Sequence, residues 1–370
     1  MSPRAEQLRI AIIGGIFQSG GALRPAFYDA PETLLARELR GLGTEVKTFS
    51  PRDRFDPSEF SLIHIHHMHF GALWAAAQSH RTRLVYTGHD GLLLQRGASG
   101  PRRLAYRVVI PRMDALIASS EQERTLQSQL LRRLPPIHAV VPNPLETSRF
   151  FPAARHHCPT SGQFRILYVG QLIKLKNVES LIRALSALSS RYVLDLIYRN
   201  RQSENALRHL ATELGVSDRI RFRPGLSNND VALAYRDASC FVLPSIAESY
   251  PSVVTEALLS GTPLIATSVG GVPDQVQDGG ILLPRADPES LVRAIERMEC
   301  DYDFFATKAL ESGRRLRMLH NPSKVAREHL AVYAQCLSTP RNPSVVTTVL
   351  TNHAVRGVAL AGVMLKKFLD

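Results

Sequence analysis

Two carboxylates eight positions apart, Glu248 and Glu256, stand in the stretch FVLPSIAESYPSVVTEALLSGTPLIATSVGG (Phe241–Gly271). The apolar run ending at Leu243 reads as a strand. Glu248 then falls in the loop beyond it, and Glu256 one turn into a helix that starts near Ser252. A helix opening straight after a strand-end loop presents unpaired amides and a partial positive charge, which suits a diphosphate. Carboxylates flanking such an anion have hydroxyls as natural partners: a ribose diol for the helical one, a sugar for the one in the loop. The opposing reading, two solvated surface acids, fits poorly with the apolar surroundings.

Three other groups invite chemistry. His64, His66, His67 and His69 suggest a metal. Alternation along a strand, however, splits them into two pairs on opposite faces, and neither an acidic ligand nor an HExxH pattern accompanies them, so no metal site is expected. The glycines Gly14, Gly15, Gly20 and Gly21 follow a short strand without the Walker lysine or full GxGxxG spacing. They read as a close-approach loop for a phosphate or acceptor, not a nucleoside triphosphate or nicotinamide loop. The four cysteines, Cys158, Cys240, Cys300 and Cys336, are far apart and form no CxxC pair, which signals neither a disulfide framework nor zinc and fits a reducing cytoplasm.

The elements that must position these residues come as two runs of the same grammar. Arg9–Gly14 is a β-branched run, followed by glycines and a helical Glu32–Leu42. Leu62–Ile65, Leu84–Thr87, Ala115–Ala118 and Ala139–Val141 repeat the short apolar strand with room for a helix between each pair. Continuous apolar runs of this length are the mark of parallel strands buried on both faces. A polar, proline-bearing segment, Pro142–Gly162, interrupts, and the alternation restarts. Strands are expected at Ile166–Val169, Val193–Ile197, Ile220–Phe222, Cys240–Leu243, Leu264–Ala266 and Ile281–Leu283. Val178, Leu181, Ile182, Leu185 and Leu188 mark an amphipathic helix, and Asp287-Pro288 marks another helix start. Two doubly wound domains, with a cleft between them and ligands at the carboxyl ends of the strands, are the expected architecture.

Composition agrees. At 370 residues and 44% hydrophobic content the chain exceeds one ordinary core, and 21% charged residues is a globular balance. The net charge of +12 is split evenly between residues 1–150 and the remainder, so neither half is a basic tail. Seven lysines against 38 arginines is a skew that codon bias alone could produce; the functional readings are an anionic substrate, an anionic membrane face or nucleic acid. Ten arginines between Arg81 and Arg133 make that stretch the membrane or anion candidate. Nucleic acid is disfavoured, since the arginines lack interleaved aromatics. The apolar run after Glu6 is too short for a secretory signal, and Val345–Leu369 is broken by Asn352, His353 and Arg356, so no membrane span is expected.

The same residues carry a specific resemblance. Glu248 and Glu256, followed by GTPLIATSVGGVPDQV, resemble the Glu-x7-Glu signature of the retaining glycosyltransferases of family four, which have the GT-B fold. ILYVGQLIKLKNVESLIRAL, AVVPNPLETSRFFP, ADPESLVRAI, SLIHIHHMHF and VYTGHD resemble further segments of that family in the family's order. The resemblance implies an α/β protein of two Rossmann-like domains. Residues 1–152 would bind the acceptor and 153–320 the nucleotide sugar; 321–340 would be a crossover helix and 341–370 a tail, helical in expectation, docked on the first domain or lying on a membrane.

It also implies transfer of a hexosyl unit from a nucleotide diphosphate sugar, a UDP-sugar foremost, to a hydroxyl acceptor with retention. No metal or cofactor is implied, and the setting is cytoplasmic with peripheral membrane association as an option. By position, Lys176 would neutralise the leaving diphosphate, Glu248 meet the transferred sugar and His89 lie near it. Glu256 would grip the ribose, and Gly170, Gln171, Ser249, Tyr250, Pro251, Ser252 and Val253 would line the donor, with His67 toward the acceptor. Gln171 stands where the family has an arginine, and Arg199 and Arg201 stand in a loop that lacks the family's Gly-Asp-Gly-Pro-like turn. Those departures leave open a non-catalytic nucleotide-sugar-binding subunit, or a GT-B epimerase.

Overall fold

The computed structural model describes residues 8–21, 29–67, 82–88, 100–152 and 162–340. The chain divides into two compact units, Met1–Leu145 with Pro322–Asp370, and Glu146–Asn321. This places the division ahead of the 152/153 boundary read from the sequence. The Arg317 guanidinium takes the carbonyls of Thr147 and Phe150, and Phe150 packs edge-on against Tyr235, so the segment after Leu145 is tied to the second unit.

The first unit holds six parallel strands in the order β2-β1-β3-β4-β5-β6: β1 (Arg9–Ile13), β2 (Glu45–Phe49), β3 (Leu62–His66), β4 (Arg83–Thr87), β5 (Ala115–Ala118) and β6 (Ile137–Val140). Alternation along the strands feeds two cores. Ile10, Ile12, Leu62, Val85 and Ile117 pack beneath α1 (Pro31–Gly41) and the late helix Pro322–Ser338, which returns Val325, Tyr333 and Cys336 to this unit. Ala11, Ile13, Ile63, Ile65, Tyr86 and Leu116 pack on the other face with Tyr106 of α2 (Gly100–Val109) and Ile110. α3 (Glu121–Leu130) is capped by Ser120, whose side chain accepts from the Glu123 amide.

β2 is the strand that the sequence did not announce. It lies at the sheet edge, so Lys47 stays exposed and the run EVKTF lacks the continuous apolar character of the central strands. The histidines of β3 belong to the core: His64 shares hydrogen bonds with Tyr333 Oη (2.7 Å) and Thr87 Oγ1 (2.8 Å), and the His66 ring lies tilted against it with centroids 4.2 Å apart. Some of the arginine-rich stretch is structural too. Arg83 pairs with Asp114 at 2.8 Å and donates to the Thr339 carbonyl, and Arg124 pairs with Glu121.

The second unit is again a six-stranded parallel sheet, with a different order, β12-β11-β10-β7-β8-β9. Its strands are β7 (Phe164–Val169), β8 (Tyr192–Tyr198), β9 (Ile220–Pro224), β10 (Cys240–Leu243), β11 (Leu264–Thr267) and β12 (Gly280–Leu283). Its helices, continuing the count, are α4 (Val178–Ala187), α5 (Glu204–Glu213), α6 (Asn228–Asp237), α7 (Ser252–Leu259), α8 (Val272–Val276), α9 (Pro288–Cys300) and α10 (Tyr302–Leu319); α11 is the returning Pro322–Ser338. Strand order reverses between β7 and β10, and loops diverge beyond the carboxyl ends of those two strands, where open α/β sheets bind ligands. Lys176 follows β7 and Glu248 follows β10. Among the described residues no helix is long and apolar enough to cross a membrane.

Candidate active site

After β7 the chain makes a short 3-10 turn, Lys174–Lys176, which Asn177 ends in the left-handed conformation (φ 51°). Asn177 is a residue that tolerates this backbone, and its side-chain amide donates to the Ala286 carbonyl at 2.8 Å. The Ile246 amide donates to the Leu175 carbonyl at 2.8 Å, which ties this turn to the loop after β10. Across that tie the Lys176 ammonium lies 2.6 Å from Glu248 Oε1, and the Ser245 hydroxyl donates to the same oxygen at 2.6 Å. The Glu248 side chain is only 7% exposed and that of Lys176 18%, so the pair is largely shielded from water and is not a surface ion pair.

Gly270 and Gly271 explain the GG that follows β11. Gly270 sits at φ +55°, and a Cβ there would lie 2.1 Å from the Glu248 carbonyl oxygen. The Gly271 amide donates to the Ser249 carbonyl, and a Cβ on Gly271 would strike the Tyr250 ring at 2.5 Å. Two bare backbones therefore hold the Glu248 loop in place. Tyr250 is anchored further by a 3.1 Å hydrogen bond between its hydroxyl and His320 Nε2, and burial pushes its pKa up.

α7 begins at Ser252 with Pro251 at its N-cap and no side-chain cap, so the first turn keeps amides available to an anion. Val253 lies in that turn and gives its carbonyl to the Tyr235 hydroxyl at 3.2 Å. Glu256, one turn on, accepts from the same hydroxyl through Oε2 at 3.2 Å and from Ser252. The carboxyl is enclosed although the residue keeps some exposed surface. That burial raises its pKa, opposed by those two hydrogen bonds and then by the charges of Arg149 and Arg199.

The other expected donor residues divide. Gly170 follows β7, its amide on the Ile197 carbonyl, and a Cβ there would clash with the Tyr168 hydroxyl at 2.6 Å. That hydroxyl donates to the Gln171 carbonyl at 2.7 Å, and burial, then the Glu248 charge, pushes its pKa up. The Gln171 side chain is exposed. Arg199 turns toward α6, where Nη2 donates to Asn228 Oδ1 at 2.7 Å. Arg201 instead lies in the loop before α5, 3.9 Å from Glu204 at the start of that helix. Arg149, Tyr235 and Asn228 were not legible as site residues, because only the tertiary fold brings α6, Glu256 and the linker that follows Leu145 together.

In the first unit, Gly14 is buried against Phe17, Gly15 and Gly20 are exposed, and Gly20 and Gly21 form a short turn at Ser19–Gly21 with Gly20 at φ +79°. Asp53 holds the turn by accepting from Ser19 Oγ at 2.7 Å and from the Gly20 amide. His67 ends β3 in the left-handed region (φ 66°), with Nε2 3.4 Å from Glu32 of α1. His89, His69, Cys158 and the 341–370 tail lie outside the described residues. Among those described, no group of three His, Cys, Asp or Glu side chains is arranged to hold a metal ion.

Two family models match this chain. The glycosyl transferases group 1 model covers residues 155–312, and the Glycosyltransferase Family 4 model covers residues 52–149. The chain belongs to the family-four glycosyltransferases of the GT-B fold. It is 32% identical over 277 residues to a D-inositol 3-phosphate glycosyltransferase of Streptomyces bingchenggensis, covering 66% of this chain and 60% of that protein. It is 31% identical over 261 residues to the enzyme of that name from Mycolicibacterium vanbaalenii, covering 63% and 58%. The chain thus spans about 60% of the length of these curated relatives.

Solved structures share the fold. The sucrose-phosphate synthase of Thermosynechococcus elongatus superposes with a TM-score of 0.75 at 21% identity, covering 89% of this chain and 99% of that one. HepE of Anabaena, solved in complex with UDP and glucose, gives 0.73 at 18% identity, covering 89% and 100%.

Proposed function

We propose that this chain transfers a hexosyl unit from a nucleotide diphosphate sugar, with UDP-sugars as the first donors to test, to a hydroxyl acceptor with retention at the anomeric carbon. The observation that carries the reading is the shielded Lys176–Glu248 pair at the strand-order reversal of the second sheet, beside a helix start that no side chain caps and the enclosed Glu256. The glycosyltransferase names of the curated relatives and the UDP and glucose in the HepE structure support it.

In this reading Glu256 accepts from the ribose hydroxyls, Glu248 from the sugar, and Lys176 with the α7 amides faces the diphosphate. The bond from anomeric carbon to phosphate oxygen breaks as the acceptor oxygen bonds to the same face. The acceptor proton passes to the departing phosphate. No protein nucleophile is needed, and the work is positioning and stabilising charge as it develops on the diphosphate. Protein cations supply that charge, so the step calls on no metal ion.

The test is a panel of uridine, guanosine and adenosine diphosphate sugars, with nucleotide release followed in the presence of candidate acceptors. One donor is expected to release nucleotide in an acceptor-dependent way, and Glu256→Ala and Lys176→Ala are expected to abolish the release. If no donor binds, the enzyme reading fails. If a donor binds without turnover, a nucleotide-sugar-binding subunit replaces it.

A further inference from the structure

The charge balance at the second unit's site is incomplete for a diphosphate. Lys176 already faces Glu248, and Glu256 adds a second carboxylate to its single ammonium. A nucleotide diphosphate brings more negative charge to a site whose own residues lean negative, so further cations must face it. The Gln171 side chain is neutral. Of the two arginines in the loop after β8, Arg201 turns to Glu204.

Two guanidinium groups remain on the Glu256 side, and one helix sets both. At the start of α6, Asn228 Oδ1 accepts from Arg199 Nη2 at 2.7 Å, and Asn229 Oδ1 accepts from Arg149 Nε at 3.1 Å. Two turns further along α6, Tyr235 donates to Glu256 at 3.2 Å. Its ring packs edge-on against Phe150, the neighbour of Arg149, with centroids 6.1 Å apart. α6 thereby holds an arginine from the linker and an arginine from the end of β8 at its start, and meets the helical carboxylate two turns further on. The charges of both arginines are felt at the Glu256 carboxyl. Guanidinium is the group that suits phosphate oxygens, since its planar fork donates two parallel hydrogen bonds.

We infer that Arg149 and Arg199 form a guanidinium clamp that takes the diphosphate of the nucleotide donor, with Asn228 and Asn229 as the positioning residues that aim it. The inference rests on the nucleotide-donor reading and goes beyond it in assigning the charge to the linker and to α6.

Titration calorimetry of the full chain with UDP, UMP and uridine, and with GDP and ADP in parallel, tests it. Arg199→Gln and Arg149→Gln are each expected to weaken UDP about 10- to 100-fold, the loss of one charge-assisted hydrogen-bonding partner, while uridine binding stays unchanged. Arg199→Lys keeps the charge without the fork and is expected to fall between. Asn228→Ala and Asn229→Ala are expected to cost a few-fold each, again on UDP alone. Gln171→Arg in the Arg199→Gln chain restores a cation beside the Lys176 turn and is expected to recover part of the UDP affinity. Thermal melting of every variant reports whether the unit is still folded. Undiminished UDP binding by both arginine variants overturns the clamp, as does an equal loss for UDP and uridine. If the unaltered chain binds none of UDP, GDP and ADP, the donor reading falls, and the clamp with it.

Discussion

The two units share an all-parallel architecture but differ in strand order, one strand (β2) lying beyond the first strand of the first unit and two (β8, β9) beyond that of the second. Each has six parallel strands whose order reverses beside the first strand of the unit, between β1 and β3 in one and between β7 and β10 in the other. At that point the second unit presents a shielded lysine–carboxylate pair at 2.6 Å, an enclosed carboxylate and a helix without a side-chain cap. The first unit presents a glycine turn held by Asp53 and a 3.4 Å approach of His67 to Glu32. Both sheets reverse order beside their first strand, and it is the loops beyond the carboxyl ends there that differ in chemistry. A charged, enclosed loop set suits a charged leaving group, and an open glycine turn suits a neutral hydroxyl acceptor.

The largest effect should come from breaking the charged side. Lys176→Ala and Glu256→Ala are each expected to lower turnover by about 100-fold or more, the scale of losing one group that faces developing charge, as read by nucleotide release. Full activity in both variants would erase the distinction between the halves. Next comes the packing behind the pair. Gly270→Ala puts a Cβ against the Glu248 carbonyl at a positive φ and is expected to cost on the order of 1–3 kcal/mol of stability, read by thermal melting, together with activity.

The first unit should answer to acid instead. His329 of α11 lies buried with Nδ1 on the Val325 carbonyl, and burial lowers its pKa to about 4. The unfolded chain titrates this group near 6.5, so it binds the proton that the folded chain refuses. Stability from this group is complete above 6.5 and is lost as pH falls toward 4. Between pH 7 and pH 5 the loss should reach about 2 kcal/mol, and His329→Leu should flatten that slope in pH-dependent melting curves. The smallest effect is reserved for His67→Ala. It should leave UDP affinity untouched and raise the acceptor KM a few-fold; a change in UDP affinity would contradict the division of labour.

Much of this was legible in the residues, for reasons that differ by element. The central strands declared themselves because burial on both faces demands continuous apolar runs, as in RIAII and CFVL. β2 did not, because an edge strand keeps Lys47 in water. α10 also went unread: its inner face includes Ala309, Ser312 and Gly313, small residues that let it lie against α7, where a Cβ on Gly313 would meet the Leu258 carbonyl at 2.2 Å. Ser312 and Gly313 break the helical stripe that Tyr302, Phe305, Ala306, Ala309 and Leu316 otherwise form. At the site, Glu248, Glu256 and Lys176 were visible as residue types at telling positions. Arg149, Asn228, Asn229 and Tyr235 were not, since their relation to Glu256 exists only once α6 and the linker have folded together. The role of Gly270 and Gly271 was hidden for the same reason, being a contact with the loop of Glu248–Tyr250, earlier in the chain.

The central claim is that the second unit's charged loops run a retaining transfer from a nucleotide diphosphate sugar. One measurement meets it most directly: the anomeric configuration of the product formed from an α-linked nucleotide sugar, followed by NMR with the unaltered chain and with Glu256→Ala. An α-linked product from the unaltered chain and none from the variant is the predicted result. A β-linked product, or equal product from the variant, would contradict the account.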